Sequence, residues 1–369
     1  MTTPYHESEG VTLYKANALD LPLADDSVDL VVTSPPYFGL RSYKDGGEHY
    51  DGQIGAEATQ AEFVDALIAA TREMIRVTKP TGSIWVNLGD KYMDKALTGL
   101  PWRYALRCID DLGLVLRAEV VWSKPNGLPE SVKDRVRRSH ETWFHFTLSP
   151  RYYSAVDEIR EPHVAAPRPS GMAKLDGRNG QPTHHFTAPQ NPLGKLPGSV
   201  WNIATEPLRV PAELGIDHFA AFPTEWPRRI VQGWSHRGVC VECGAGRRPI
   251  VTKTGWARGK SRPVKDTPSR HRSPLGPQNG NKEGRLVTIT GEACDCPEPT
   301  APTTPGVVLD PFSGTGTTAL VASVLGRHGI GVDMSEDYCR LAAWRTTDPK
   351  QRAKSARQKY KAPKKGADQ

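Results

Sequence analysis

No stretch of these 369 residues is apolar over the length that a membrane span needs, and the segment Met1–Gly10 lacks the basic-then-apolar order of a secretory leader. A cytoplasmic protein with no membrane partner is expected. Cysteine is scarce: six thiols in such a chain argue against a disulfide framework. No internal repeat is present, which excludes a solenoid or propeller. An acidic excess is missing as well. The 48 Lys and Arg against 41 Asp and Glu leave a net charge of +7 and a pI near 9.0, which suits a polyanionic partner. The basic residues gather between Arg247 and Arg285 and again from Lys350 to Lys365. Such a tail is either a solvated end or a phosphate-contacting one.

What is there begins with two segments that end apparent strands. The run Val28-Asp29-Leu30-Val31-Val32 has the aliphatic and β-branched bias of a strand buried on both faces, and Thr33-Ser34-Pro35-Pro36-Tyr37 then stops sheet pairing, so the chain leaves the sheet rigid and extended. Far downstream, Val307-Val308-Leu309 leads into Asp310-Pro311-Phe312-Ser313-Gly314-Thr315-Gly316-Thr317-Thr318 and an apolar helical pattern up to Leu325. Backbone amides converging at a helix N-terminus after a glycine-rich turn make a nucleotide or nucleoside cradle. Each segment alone has a plainer reading, a rigid exit in one case and a packing turn in the other.

Between and around them the chain alternates strands with helices. Thr59-Gln60-Ala61-Glu62 forms a capping box before Phe63, Leu67, Ala70, Met74 and Val77 at helical spacing. Ser83–Val86 reads as a strand, Pro101–Leu112 as a helix closed by Gly113, and Leu114–Trp122 and Thr142–Leu148 as strands. A mainly parallel, Rossmann-like α/β sheet with helices on both faces follows. At 369 residues, one elaborated domain or two can bury a large core. From about Glu161 to Pro197 the sequence is rich in Pro, Gly, His and Asn, as in a mobile insertion. Cys108 and Cys339 sit in apolar helical patterns and are expected in the core.

The other four cysteines cluster. Cys240 and Cys243 are followed by Gly244 in a turn that lets two thiolates face one ion, and Cys294 and Cys296 supply a second close pair. Four such ligands suit tetrahedral structural zinc. The Cys-x-Cys half is tighter than usual, and unligated loop cysteines are the alternative.

Taken together, the Thr33–Tyr37 and Asp310–Thr318 motifs resemble the S-adenosylmethionine-dependent amino-methyltransferases of DNA. Their order, catalytic motif first, looks like the permuted beta group of that family. The likeness covers roughly 11–160, 200–233 and 306–345. It implies a class I methyltransferase fold in permuted order, with a small zinc-binding-like insertion. The implied layout is a catalytic half over 1–160, an insertion and candidate target-recognition region over 161–199, and a cofactor-packing helix segment over 200–235. A zinc module and basic loop over 236–304, a cofactor-binding half over 305–346 and a basic tail over 347–369 complete it.

The resemblance also implies site roles. Ser34, Pro35, Pro36 and Tyr37 would be catalytic: the Ser34 hydroxyl and the Pro35 carbonyl accept from an exocyclic amine, and Tyr37 stacks on a base rotated out of the duplex. Asp310, Phe312, Gly314, Gly316, Thr317 and Thr318 would hold S-adenosylmethionine, Asp333 would bridge its ribose hydroxyls, and Phe222 and Pro223 would pack against it. In the plainer reading Asp333 only caps a strand. Where the family usually carries an acid against the adenine ring, this chain has Asn17, so either Asn17 or Asp20 serves. The segment Pro129–Glu141 looks like family sequence linking the catalytic face to DNA; a generic charged loop is the alternative. Serine before the double proline resembles the branch that methylates N4 of cytosine in duplex DNA, beside a possible cognate restriction nuclease. N6-methylation of adenine, a non-catalytic DNA-binding protein of the same fold, and methylation of RNA or protein remain alternatives, and the oligomeric state is unknown.

Overall fold

The computed structural model describes residues 2–39, 44–45, 48–49, 52–127, 129–163, 174–175, 182–183, 191, 193–216, 221–257, 284–297 and 300–359. The expectations for His218–Ala220, for most of 161–199, for much of the basic stretch 247–285 and for Lys361, Lys364 and Lys365 lie outside the described residues. Two compact units are present, one made of 1–159, 198–247 and 294–369, the other of 160–197 and 248–293. The stretch 236–304 is therefore divided between them. In the second unit, Arg248–Ala257 and Gly284–Ala293 form an antiparallel hairpin.

The first unit is built on a nine-stranded sheet. Its strands are β1 (His6–Ser8), β2 (Val11–Lys15), β3 (Val28–Thr33), β4 (Thr78–Leu88), β5 (Val115–Ser123), β6 (His140–Thr147), β7 (Val200–Asn202), β8 (Val307–Asp310) and β9 (His328–Asp333). Their spatial order is β1-β2-β9-β8-β3-β4-β6-β5-β7. From β2 to β4 every pairing is parallel. The far side departs from a uniform parallel arrangement: β6 runs antiparallel to both β4 and β5. Among the described residues no helix lies between β5 and β6, and a connection without a crossover returns the next strand in the opposite sense.

Alternation along the strands divides the core into two layers. Val31, Ile84, Val86, Phe144 and Phe146 face one layer with α1 (Gln60–Val77) and α2 (Leu100–Asp110). Leu30, Val32, Trp85, Trp143 and Val308 face the other with α3 (Glu225–Trp234) and α4 (Thr317–Val324). Helix α1 opens with the expected capping box, in which the Thr59 hydroxyl accepts from the Glu62 amide and the Glu62 carboxylate from the Thr59 amide. On the second layer, Trp226 sits edge-on to Trp122 at 4.0 Å and to Trp143 at 5.0 Å, and stacks on Phe222 at 5.3 Å. Those contacts fix the start of α3 against the sheet. Cys108 and Cys339 are buried as expected.

Two more helices close the chain, α5 (Glu336–Thr347) and α6 (Pro349–Ser355), the latter capped by Asp348. The described part of the basic tail is engaged with the body: Lys354 pairs with Glu206 at 2.7 Å, Arg357 pairs with Glu225, and Arg352 donates to Ser323 and Thr346. Of the described residues, no helix is long and apolar enough to cross a membrane.

Candidate active site

Parallel strands β3, β8 and β9 are consecutive in the sheet and point their carboxyl ends the same way, which is where open α/β sheets bind ligands. Thr33 to Tyr37 leaves β3, the glycine-rich turn leaves β8, and Asp333 ends β9. All three meet around one cavity of about 920 Å³.

On the cofactor side, the wall includes Asn17, Phe312, Gly314, Asp333 and Phe222. The Gly314 amide donates to Asp333 Oδ2 at 2.8 Å and the Ser335 amide to Asp333 Oδ1 at 3.0 Å. Asp333 thus caps the strand end, holds the glycine-rich turn and faces the cavity. Asn17 is on the wall while Asp20 is exposed and outside the lining. Ser313 also lines the cavity, and its hydroxyl is buried without a hydrogen-bond partner among the described residues. Apolar Phe312 and Phe222, a paired carboxylate and a spare hydroxyl fit S-adenosylmethionine, which combines an aromatic ring, a ribose and a charged amino-acid end.

Asp310, Gly316, Thr317, Thr318 and Pro223 are not on this wall. Asp310 is fully buried and accepts from Thr33 Oγ1 at 2.6 Å, from Thr318 Oγ1 at 2.9 Å and from the Phe312 amide at 3.2 Å. It ties the end of β3 to the glycine-rich turn after β8 from behind. A residue missed from sequence does similar work: buried Arg345 on α5 donates to the Thr315 and Thr317 hydroxyls, both at 2.6 Å. Burial pulls its guanidinium down to about 10, so it stays charged at neutral pH.

Burial lifts the Asp310 carboxyl from 3.8 to about 6, against the lowering pull of its three hydrogen bonds. Its folded value lies above its unfolded one, so the stability it contributes is full below the unfolded value and is lost as pH rises through about 6. Asp310→Asn keeps a neutral acceptor in place and removes this loss. In unfolding experiments, the stability of the variant relative to the parent should rise by about 3 kcal/mol between about pH 4 and about pH 8. A difference that stays flat across that range would contradict the assignment.

On the catalytic side, Ser34, Pro35, Pro36 and Tyr37 all line the cavity. Tyr37 Oη lies 2.6 Å from Asn87 Oδ1 and 2.8 Å from Glu141 Oε2. The Asn87 amide nitrogen is fixed by donating to the Thr142 carbonyl at 3.2 Å, and Lys124 pairs with Glu141. Ser34 Oγ donates to Asn87 Oδ1 at 3.3 Å. Asn87, Glu141 and Lys124 therefore set where Ser34 and Tyr37 stand. Gly89 makes room for the ring, because a Cβ there would lie 2.5 Å from Tyr37 Cε2. These partners carry no motif of their own; the signal for Asn87 and Glu141 is placement on β4, next to β3, and on β6, next to β4.

Away from the cavity, Cys240, Cys243, Cys294 and Cys296 bring their sulfurs within 4.8 Å of one another. Cys240 Sγ and Cys296 Sγ are 3.8 Å apart. Tetrahedral zinc with Zn–S bonds of about 2.3 Å requires edges of about 3.8 Å. The Gly244 amide closes the first turn onto the Cys240 carbonyl at 2.9 Å, with Gly244 at φ +67°. The donor set fits the ion.

A glycine-rich turn and a strand-end carboxylate beside a rigid Ser-Pro-Pro-Tyr exit, around one cavity at the carboxyl edge of parallel strands, suit a methyltransferase. The model of a DNA methylase family, that of the N6 and N4 methyltransferases, matches residues 28–241 and 301–343, and the chain belongs to this family of DNA amino-methyltransferases. Among curated relatives, the Type II methyltransferase M.SmaI of Serratia marcescens is 30% identical over 349 residues, spanning 87% of this chain and 84% of the relative. M.Cfr9I of Citrobacter freundii is 34% identical over 256 residues, or 61% and 73% of the two chains. A solved structure, the cytosine-N4-specific PvuII DNA methyltransferase, superposes with a TM-score of 0.58 at 19% identity, covering 96% of this chain and 94% of that one. That likeness is one of fold, and it bears out the class I architecture.

Proposed function

We propose that this enzyme methylates the exocyclic N4 of cytosine in duplex DNA, at a defined short sequence, by direct transfer to a base rotated out of the helix. The observation that carries the reading is Ser34: a neutral hydroxyl, not a carboxylate, precedes the double proline on the cavity wall. An exocyclic amine is a poor nucleophile because its lone pair is delocalised into the ring. Acceptors beside it favour a pyramidal nitrogen, and Ser34 Oγ and the Pro35 carbonyl are the groups for this role. Tyr37, tethered through its hydroxyl, offers its ring for stacking. S-adenosylmethionine supplies an electrophilic methyl group when bound. Phe312, Phe222, Asn17 and Asp333 would hold it, and the buried Asp310 and Arg345 keep the turn in shape. At about 920 Å³ the cavity is near the upper end of ligand sites, with room for a cofactor and a base together. Sequencing DNA from cells expressing the chain, with a chemistry that separates the two methylated bases, should find methylated cytosine at one recurrent site. Methylated adenine alone would shift the target to N6.

The four-cysteine cluster is proposed to hold one structural zinc. Metal analysis of purified protein should find about one zinc per chain, and loss of Cys240 and Cys243 should weaken DNA binding more than cofactor binding. A metal-free preparation that is folded and fully active would reduce the cysteines to loop residues. The Type II relatives support a further proposal, a cognate restriction nuclease that cuts the same sequence when unmethylated.

A further inference from the structure

The loop from Pro129 to Ser139 contributes Pro129, Glu130, Arg138 and Ser139 to the cavity wall. It is held in several places. The Arg135 guanidinium pairs with Glu130 at 2.9 Å, lies 3.6 Å over the Tyr92 ring and donates to the Val136 carbonyl at 3.1 Å. Arg137 donates to the Gly127 carbonyl at 3.0 Å, and Arg138 pairs with the largely buried Asp90 at 3.6 Å. In the middle of these clamped arginines, Val136 is 85% exposed, the most exposed of the large hydrophobic side chains among the described residues; Val200 follows at 57%.

A solitary exposed valine is ordinary on a protein surface. This one stands on a clamped basic loop, two residues from the wall of the cavity proposed to receive a flipped base. We propose that Val136 is a wedge: it enters the duplex and fills the space that the rotated base vacates, while Lys133 and Arg137 face the phosphates. Apolar side chains inserted between base steps offset the cost of unstacking, and charge complementarity favours the polyanion here. The inference rests on the flipped-base reading of the cavity and names the residue that keeps the base out.

Because Val136 makes no part of the core, Val136→Ala should fold and bind cofactor as the parent does. The test uses the site mapped from methylated plasmid DNA, built into synthetic duplexes in which the target base is either correctly paired or mismatched. Extrusion is least costly for a mismatched base, so Val136→Ala should slow single-turnover methylation about tenfold on the paired duplex and at most about twofold on the mismatched one. Val136→Leu, which keeps the apolar bulk, should retain the paired-duplex rate. Parent-like rates for Val136→Ala on the paired duplex, or an equal loss on both duplexes, would overturn the wedge. A parent protein that methylates no DNA at all would instead remove the flipped-base reading on which it stands.

Discussion

Valine in place of Gly316 is expected to abolish cofactor binding while leaving duplex DNA binding measurable. Gly316 caps α4 with φ +72°, a left-handed conformation that costs any L-residue about 1–2 kcal/mol. Space adds a second obstacle. A Cβ at this position would lie 2.8 Å from the Ala342 Cβ and 3.2 Å from its Cα, on a helix that is itself packed against the sheet. The turn must yield, and with it Gly314 and Thr315, which form the cavity wall. Gly314 offers the comparison: at φ +47° it is strained for alanine but has open space around it, so Gly314→Ala should weaken the cofactor by only about fivefold, from about 1 kcal/mol of strain. Calorimetry with S-adenosylmethionine separates the two. Unchanged affinity in the Gly316 variant would place the cofactor elsewhere.

The second large effect concerns turnover rather than cofactor affinity. Tyr37→Ala removes a base-stacking surface worth roughly 1–3 kcal/mol, and turnover on duplex DNA should fall by about tenfold to a hundredfold. Gly89→Ala should have a comparable effect without touching Tyr37 itself. The new methyl would lie 2.5 Å from Cε2 and 3.2 Å from Cζ of a ring whose hydroxyl is anchored at Asn87 and Glu141, so the ring must leave its place. Cofactor affinity should stay within about twofold in both variants, because neither residue belongs to the β8 turn. A Gly89→Ala enzyme with parental turnover would show that the position of Tyr37 is immaterial.

Where a structural element is specified by adjacent residues, it was legible in the sequence. The buried strand Val28–Thr33, the Thr59 capping box and the glycine-rich turn before α4 all follow from local side-chain chemistry, and all three stand where expected. The antiparallel β5–β6 return was less visible, since nothing in either strand declares its partner. Strand β1 pairs antiparallel with β2, yet His6, Glu7 and Ser8 carry no strand pattern; their order comes from the neighbouring strand. The site divided in the same way. Ser34, Tyr37 and Asp333 belong to contiguous motifs, and all three stand on the cavity wall. Asn87, Glu141 and Arg345 could not be read from sequence, because each acts on a residue far along the chain: Asn87 and Glu141 on Tyr37, and Arg345 on Thr315. Asp310 was legible as part of the motif, but its burial behind the turn follows from packing with Thr33 and Thr318.

The most direct test of N4-directed chemistry is mass spectrometry of nucleosides from duplex DNA incubated with purified protein and methyl-labelled S-adenosylmethionine. N4-methylcytosine, formed without a trapped protein–DNA adduct and reduced in the Tyr37→Ala protein, is the expected product. Label found only on the exocyclic nitrogen of adenine would contradict the target base while keeping the family, and no label on any DNA would contradict base methylation altogether.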